Sequence, residues 1–106
     1  MRPTRFLFHA SKARLTLFTR ANCSLCDTAK RTVNELRKHR NFDYDEIDVM
    51  AEGQKQWKDV YEFDTPVLHV ERRDDSATVS LEAQKLWHRF TSEEVEAAID
   101  QAEAKG

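Results

Sequence analysis

The first clear pattern in the chain is "LTLFT" at residues 15–19, where apolar side chains alternate among β-forming residues. Such alternation predicts a strand buried on at least one face. From Ser24 to about His39 the period lengthens, and Leu25, Ala29, Val33 and Leu36 recur at spacings of three and four, as on one face of a helix. Lys38, His39 and Arg40 follow where cations suit the negative end of the helix dipole. "FDYDEIDV" (42–49) reads as a second strand, acidic at its exposed positions. The segment from Leu15 to Val49 is thus a β-α-β unit, which favours parallel pairing and a right-handed crossover. "EGQKQWKDVYEF" (52–63) predicts a short helix with Trp57, Val60 and Tyr61 on a shared face. Pro66 interrupts any helix, "PVLHV" starts a third strand and "ERRDDSA" is a polar turn. A fourth strand can use "TVSL" (78–81) or "KLWHRF" (85–90), and the second is the better fit. Thr91 and Glu94 then form a T-x-x-E capping box ahead of Val95, Ala98, Ile99 and Ala102, a closing helix. Trp57, Phe63, Trp87 and Phe90 can line a peptide groove beside the cysteines, although aromatic residues at such spacings are more often core, and His69, inside a strand, is expected to be a structural histidine.

Composition narrows the class. A chain of 106 residues is one domain with a single modest core. It holds no apolar run near the roughly 20 residues of a membrane span, so no membrane partner is expected. Lys plus Arg (17) nearly balances Asp plus Glu (19), which argues against a nucleic-acid surface. Only two glycines leave little room for a phosphate-cradling loop. Charge is nonetheless uneven, because every charged residue before Asp27 is basic. Residues 1–13 read as a basic N-terminal extension, either frayed or a mitochondrial transit segment, and residues 14–106 as the folded domain. An intracellular location follows, cytoplasmic, or mitochondrial if the extension is a targeting segment.

The chemistry centres on "CSLC" at residues 23–26, which holds both cysteines of the chain. One close pair is a poor secreted disulfide framework. It is also too few ligands for zinc, which needs about four, because His9, His39, His69 and His88 show no paired spacing; no metal is expected. Inside a cell such a pair is more often metal-binding or redox-active than structural. It lies where a strand gives way to a helix, and a helix N-terminus favours the thiolate that disulfide exchange requires. Cys23 at that end is the expected nucleophile. Cys26, nearly one turn deeper, is the expected resolving thiol.

The order β-α-β-α-β-β-α, "TRANCSLC" at the first helix, "DTP" before the third strand and the helix capped at Thr91 together resemble the glutaredoxin-like proteins. The resemblance spans roughly Arg14 to Ala104. It implies an α/β thioredoxin-like fold with a four-stranded mixed sheet and three helices. It also implies a small thiol–disulfide oxidoreductase acting in electron transport. Arg20 stands where the family often has a lysine that supports the thiolate and binds a substrate carboxylate. Pro66 would follow a cis bond, and Thr65 would offer its backbone to an extended substrate. Expected partners are a disulfide-bearing protein or small molecule and a thiol reductant, with no tightly bound cofactor and a monomeric state.

One departure concerns glutathione, the family's usual reductant. Glutathione-binding members usually carry Gly-Gly before the final helix, where this chain has "HRFTSEE" with Phe90 and no glycine. A side chain there obstructs close approach to the backbone. Two other functions fit the same residues: a glutathione-assisted iron–sulfur cluster binder and a non-catalytic adaptor with the same fold.

Overall fold

The computed structural model describes residues 13–73 and 83–104. Their elements run β1 (Ala13–Thr19), α1 (Ser24–Arg37), β2 (Asp43–Asp48), α2 (Lys55–Tyr61), β3 (Val67–Arg72), β4 (Gln84–Trp87) and α3 (Ser92–Ala104). The four strands form one sheet in the order β2-β1-β3-β4. β2 runs parallel to β1, and β3 and β4 run antiparallel to their neighbours. This is the thioredoxin-like architecture expected from the sequence. The fourth strand uses the first three residues of "KLWHRF", opening one residue earlier at Gln84 and ending at Trp87. The alternative strand at 78–81 and the basic stretch at 1–12 lie outside the described residues.

β1 is central, so both its faces are covered and its residues are almost all buried. Pleating divides them. Ala13, Leu15 and Leu17 join Leu68 and Val70 of β3 in a core shared with Ala29, Val33 and Leu36 of α1 and Val95, Ala98, Ile99 and Ala102 of α3. Phe18 and Val67 point to the other face, where Trp57 and Tyr61 of α2 close over them with Val49. The register places Leu17 opposite Leu68 and Phe18 opposite Val67, so alternate pairs feed opposite layers. α2 departs from its expected face in one respect. Trp57 and Tyr61, four apart, stack in parallel and bury, while Val60 falls outside their stripe and stays exposed.

α3 is held at both ends. Thr91 Oγ1 accepts from the Glu94 N–H at 3.1 Å while the Glu94 carboxylate accepts from the Thr91 N–H at 2.9 Å, the reciprocal box expected from the sequence. Near the other end, the Arg40 guanidinium meets Asp100 at 2.6 Å and Glu103 at 3.0 Å. It thereby ties the loop after α1 to the last turns of α3.

Burial has a consequence at high pH. Tyr61 shares a buried hydrogen bond with His69 Nε2 at 2.6 Å, and Tyr44 donates to the Glu46 carboxylate at 2.7 Å. Burial raises the pKa of both phenols, helped by Asp64 near Tyr61 and by Glu46 at Tyr44. The unfolded chain therefore loses these protons first, near pH of about 10. Stability is fully present below that pH and falls as pH rises above it. The melting temperature is expected to drop as pH rises above the ordinary phenol pKa of about 10. The Tyr44→Phe/Tyr61→Phe double variant should show a shallower drop. An unchanged slope in the double variant would refute the assignment. At neutral pH, Tyr61→Phe should cost about 1–3 kcal/mol, from loss of the buried bond to His69.

Candidate functional site

The site forms at the end of the sheet where β1 stops. The chain turns at Asn22, whose φ of 59° lies in the left-handed region that Asn tolerates better than most residues. Cys23 follows in extended conformation and is the N-cap of α1. N-caps are usually Ser, Thr, Asp or Asn, whose side-chain oxygen accepts an orphan backbone N–H. Here sulfur takes that role, and Cys23 Sγ accepts from the Cys26 N–H at 3.1 Å. The two cysteines form a disulfide with Cα atoms 5.2 Å apart, inside the range that such a bridge spans. Cys23 is half-buried and Cys26 only 1% exposed. Cys26 joins Ala29, Val33 and Leu36 on the inner face of α1, in the place that the periodicity assigned to Leu25. Leu25 is instead half-buried beside the cysteines.

The Thr65–Pro66 bond is cis. Thr65 is half-buried and Pro66 buried, with the Pro66 carbonyl accepting from the His88 N–H at 2.8 Å. That bond continues the β3–β4 ladder past Trp87 and ties the proline loop to the segment before α3. Arg20 Nη1 donates to the Glu62 carbonyl at 2.7 Å, linking the cysteine loop to the end of α2. This partner is a backbone oxygen, so no side-chain pattern could have revealed it. Arg20, Cys23, Cys26, Thr65 and Pro66 thus come from two segments, 20–26 and 65–66, that lie at one end of the sheet.

Two surfaces flank this centre. On the α1–α3 side lies an open cavity of about 140 Å³ lined by Leu25, Thr28, Ala29, His88, Arg89 and Phe90. Phe90 is half-buried, packs against the α1–α3 core and fills the place before the final helix that the sequence marked as obstructed. On the α2 side stand Phe63, 88% exposed, and Trp87, 46% exposed, although both were expected inside. Trp87 meets Tyr61 edge to face with ring centroids 5.9 Å apart and stays half-exposed. Phe63 lies beyond the last turn of α2, where the chain must already swing toward Pro66. Among the described residues, no group of three or more His, Cys, Asp and Glu side chains is placed to hold a metal ion.

Comparison with known proteins bears on the family and the fold. Residues 14–100 match the family profile described as Glutaredoxin-like domain (DUF836). A curated relative, the Glutaredoxin-like protein YDR286C homolog of Dictyostelium discoideum, is 32% identical over 74 residues, covering 66% of this chain and 68% of the relative. Among solved structures, the structural-genomics target protein XcR50 from X. campestris superposes with a TM-score of 0.59 at 22% identity, over 83% of this chain and 97% of that one. The last likeness concerns the fold alone, whereas the profile covers most of the chain. The chain belongs to the glutaredoxin-like (DUF836) family.

Proposed function

We propose that this protein is a small thiol–disulfide oxidoreductase in which Cys23 attacks and Cys26 resolves. The observation that carries the proposal is the asymmetry of the pair. Cys23 is reachable and sits at the helix N-terminus with the Cys26 N–H directed at its sulfur, while Cys26 is buried one turn deeper. A backbone donor and the positive end of the helix dipole both favour the thiolate over the thiol. Asp27, also in the first turn, opposes them with its negative charge.

In the reduced protein the Cys23 thiolate attacks one sulfur of a substrate disulfide. A mixed disulfide forms, and the other substrate sulfur leaves as a thiolate that takes up a proton. Cys26 then loses its proton to solvent and attacks Cys23 Sγ. The second substrate thiol is released and the Cys23–Cys26 disulfide closes, so two electrons pass from protein to substrate. An external thiol restores the dithiol. Arg20, held by Glu62, has further guanidinium donors for a substrate carboxylate. The Thr65 backbone beside Pro66 would take an extended substrate by strand-like hydrogen bonding.

The test is the rate of alkylation against pH on the reduced Cys26→Ser protein, which keeps the residue-26 N–H. The inflection is expected below the ordinary thiol value of about 8.5. An inflection at or above that value would remove the basis for assigning Cys23 as nucleophile.

A further inference from the structure

We infer that Tyr61, held by the buried His69, is a positioning residue for the exchange proposed above: through the Glu62 carbonyl it fixes where Arg20 presents its charge to a substrate carboxylate. The inference rests on that exchange and on Arg20 as its anion contact.

The core on the α2 side of the sheet gathers Phe18, Val49, Trp57, Tyr61 and Val67. Beside it the Tyr61 hydroxyl and His69 Nε2 lie 2.6 Å apart, in residues that are 1% and 0% exposed. An apolar pair of the same shape would fill this space about as well, since replacing both partners of a buried hydrogen bond is nearly neutral for stability. What the polar pair adds is direction. A satisfied buried hydrogen bond specifies one arrangement, whereas apolar contact tolerates sliding.

Direction matters because of where Tyr61 stands. It is the last residue of α2. Its ring meets those of Phe18, Trp57, His69 and Trp87, drawn from β1, α2, β3 and β4, at centroid distances of 5.1, 6.1, 5.5 and 5.9 Å. The next residue, Glu62, accepts through its carbonyl from Arg20 Nη1 at 2.7 Å. The Tyr61 carbonyl itself accepts from the Asp64 N–H at 2.9 Å, just before the cis Thr65–Pro66 bond. One anchored residue thus precedes both the Arg20 contact and the proline loop. Arg20 is half-buried, three residues before Cys23. Its partner is a carbonyl without formal charge, which orients the guanidinium without neutralising it. The attraction for a carboxylate is kept, and its direction depends on the end of α2.

The experiment compares two disulfides of similar size, dithiodipropionate and its uncharged diamide, in single-turnover oxidation of the reduced protein. Low salt is used, where an ion contact is least screened. In both reactions Cys23 attacks, one half of the disulfide leaves as a thiol, and Cys26 displaces the other half. Oxidised protein is counted by intact mass, and each rate is divided by that of the same disulfide with mercaptoethanol to cancel intrinsic reactivity. Wild type is expected to prefer the dianion by about tenfold, or about 1.4 kcal/mol, although the formal net charge of -2 opposes it. Arg20→Gln should abolish the preference. Tyr61→Phe, which keeps the ring, should reduce it to about twofold, with the diamide rate within about twofold of wild type. The Tyr61→Phe/His69→Leu double variant separates positioning from stability, because it replaces both polar partners. Its melting temperature should return most of the way to wild type, whereas its preference should stay low. An undiminished preference in Tyr61→Phe, or one that returns with stability in the double variant, would overturn the inference, as would equal rates for the two disulfides in wild type. Failure of wild type to react with either disulfide would instead overturn the proposed activity on which the inference rests.

Discussion

Cys23→Ser is expected to abolish disulfide reduction, lowering the rate by roughly a thousand-fold or more, as removal of a sole nucleophile does. Cys26→Ser should behave differently. Its Cys23 remains at the N-cap with the same backbone donor, so the first attack proceeds, but nothing inside the protein releases the product. A mixed disulfide on Cys23 should then accumulate and be visible by intact mass. The contrast arises from burial, because Cys26 is 1% exposed and a bulky substrate disulfide meets Cys23 first. Accumulation of the adduct on Cys26 in the Cys23→Ser protein, at a comparable rate, would reverse the assignment. Full inactivity of wild type towards insulin and small disulfides alike would favour the adaptor function.

The second large effect concerns glutathione. In the usual glutathione-coupled assay this protein is expected to turn over at about one-hundredth the rate of an ordinary dithiol glutaredoxin measured beside it, or less. The reason is Phe90, which lines the cavity next to Leu25 where a glycine would open the backbone. Losing two hydrogen bonds to a charged ligand costs about 3–6 kcal/mol, at roughly 1.5–3 each, and about 1.4 kcal/mol is tenfold in affinity. Phe90→Gly, with or without Arg89→Gly, should raise the glutathione rate. Because Phe90 also packs against the α1–α3 core, the variant should lose about 1–3 kcal/mol of stability, so activity must be read well below its melting temperature. Turnover equal to the reference glutaredoxin in wild type would show that Phe90 does not obstruct the ligand.

Element order was readable because each segment has its own period and punctuation: alternation in β1, a three-and-four spacing in α1, Pro66 before β3, and a reciprocal cap at Thr91. Sequence separates Cys26 from Leu25 poorly, since both fit the spacing to Ala29. The sheet and α3 decide which faces inward, and the smaller cysteine takes the buried place. Phe63 and Trp87 were misplaced for a related reason. Aromatic residues are usually inside, but α2 is only seven residues long and covers little of its face of the sheet. Trp57 and Tyr61 use the available space beneath it. The Arg20–Glu62 bond and the cavity beside Phe90 arise from segments distant in the chain, so no local pattern announces them.

The position of β1 has a mechanical consequence. It is the inner strand that bears the reactive loop, paired on both edges and roofed on both faces, so its amides open only when the whole sheet opens. The cysteines follow directly from this buried strand, at the N-cap and in the first turn of α1. In the proposed exchange a substrate would meet the short α2, the proline loop and the segment leading into α3, which lie outside β1. The dithiol is thereby anchored to the interior of the sheet, while the segments around it at the same end belong to other elements.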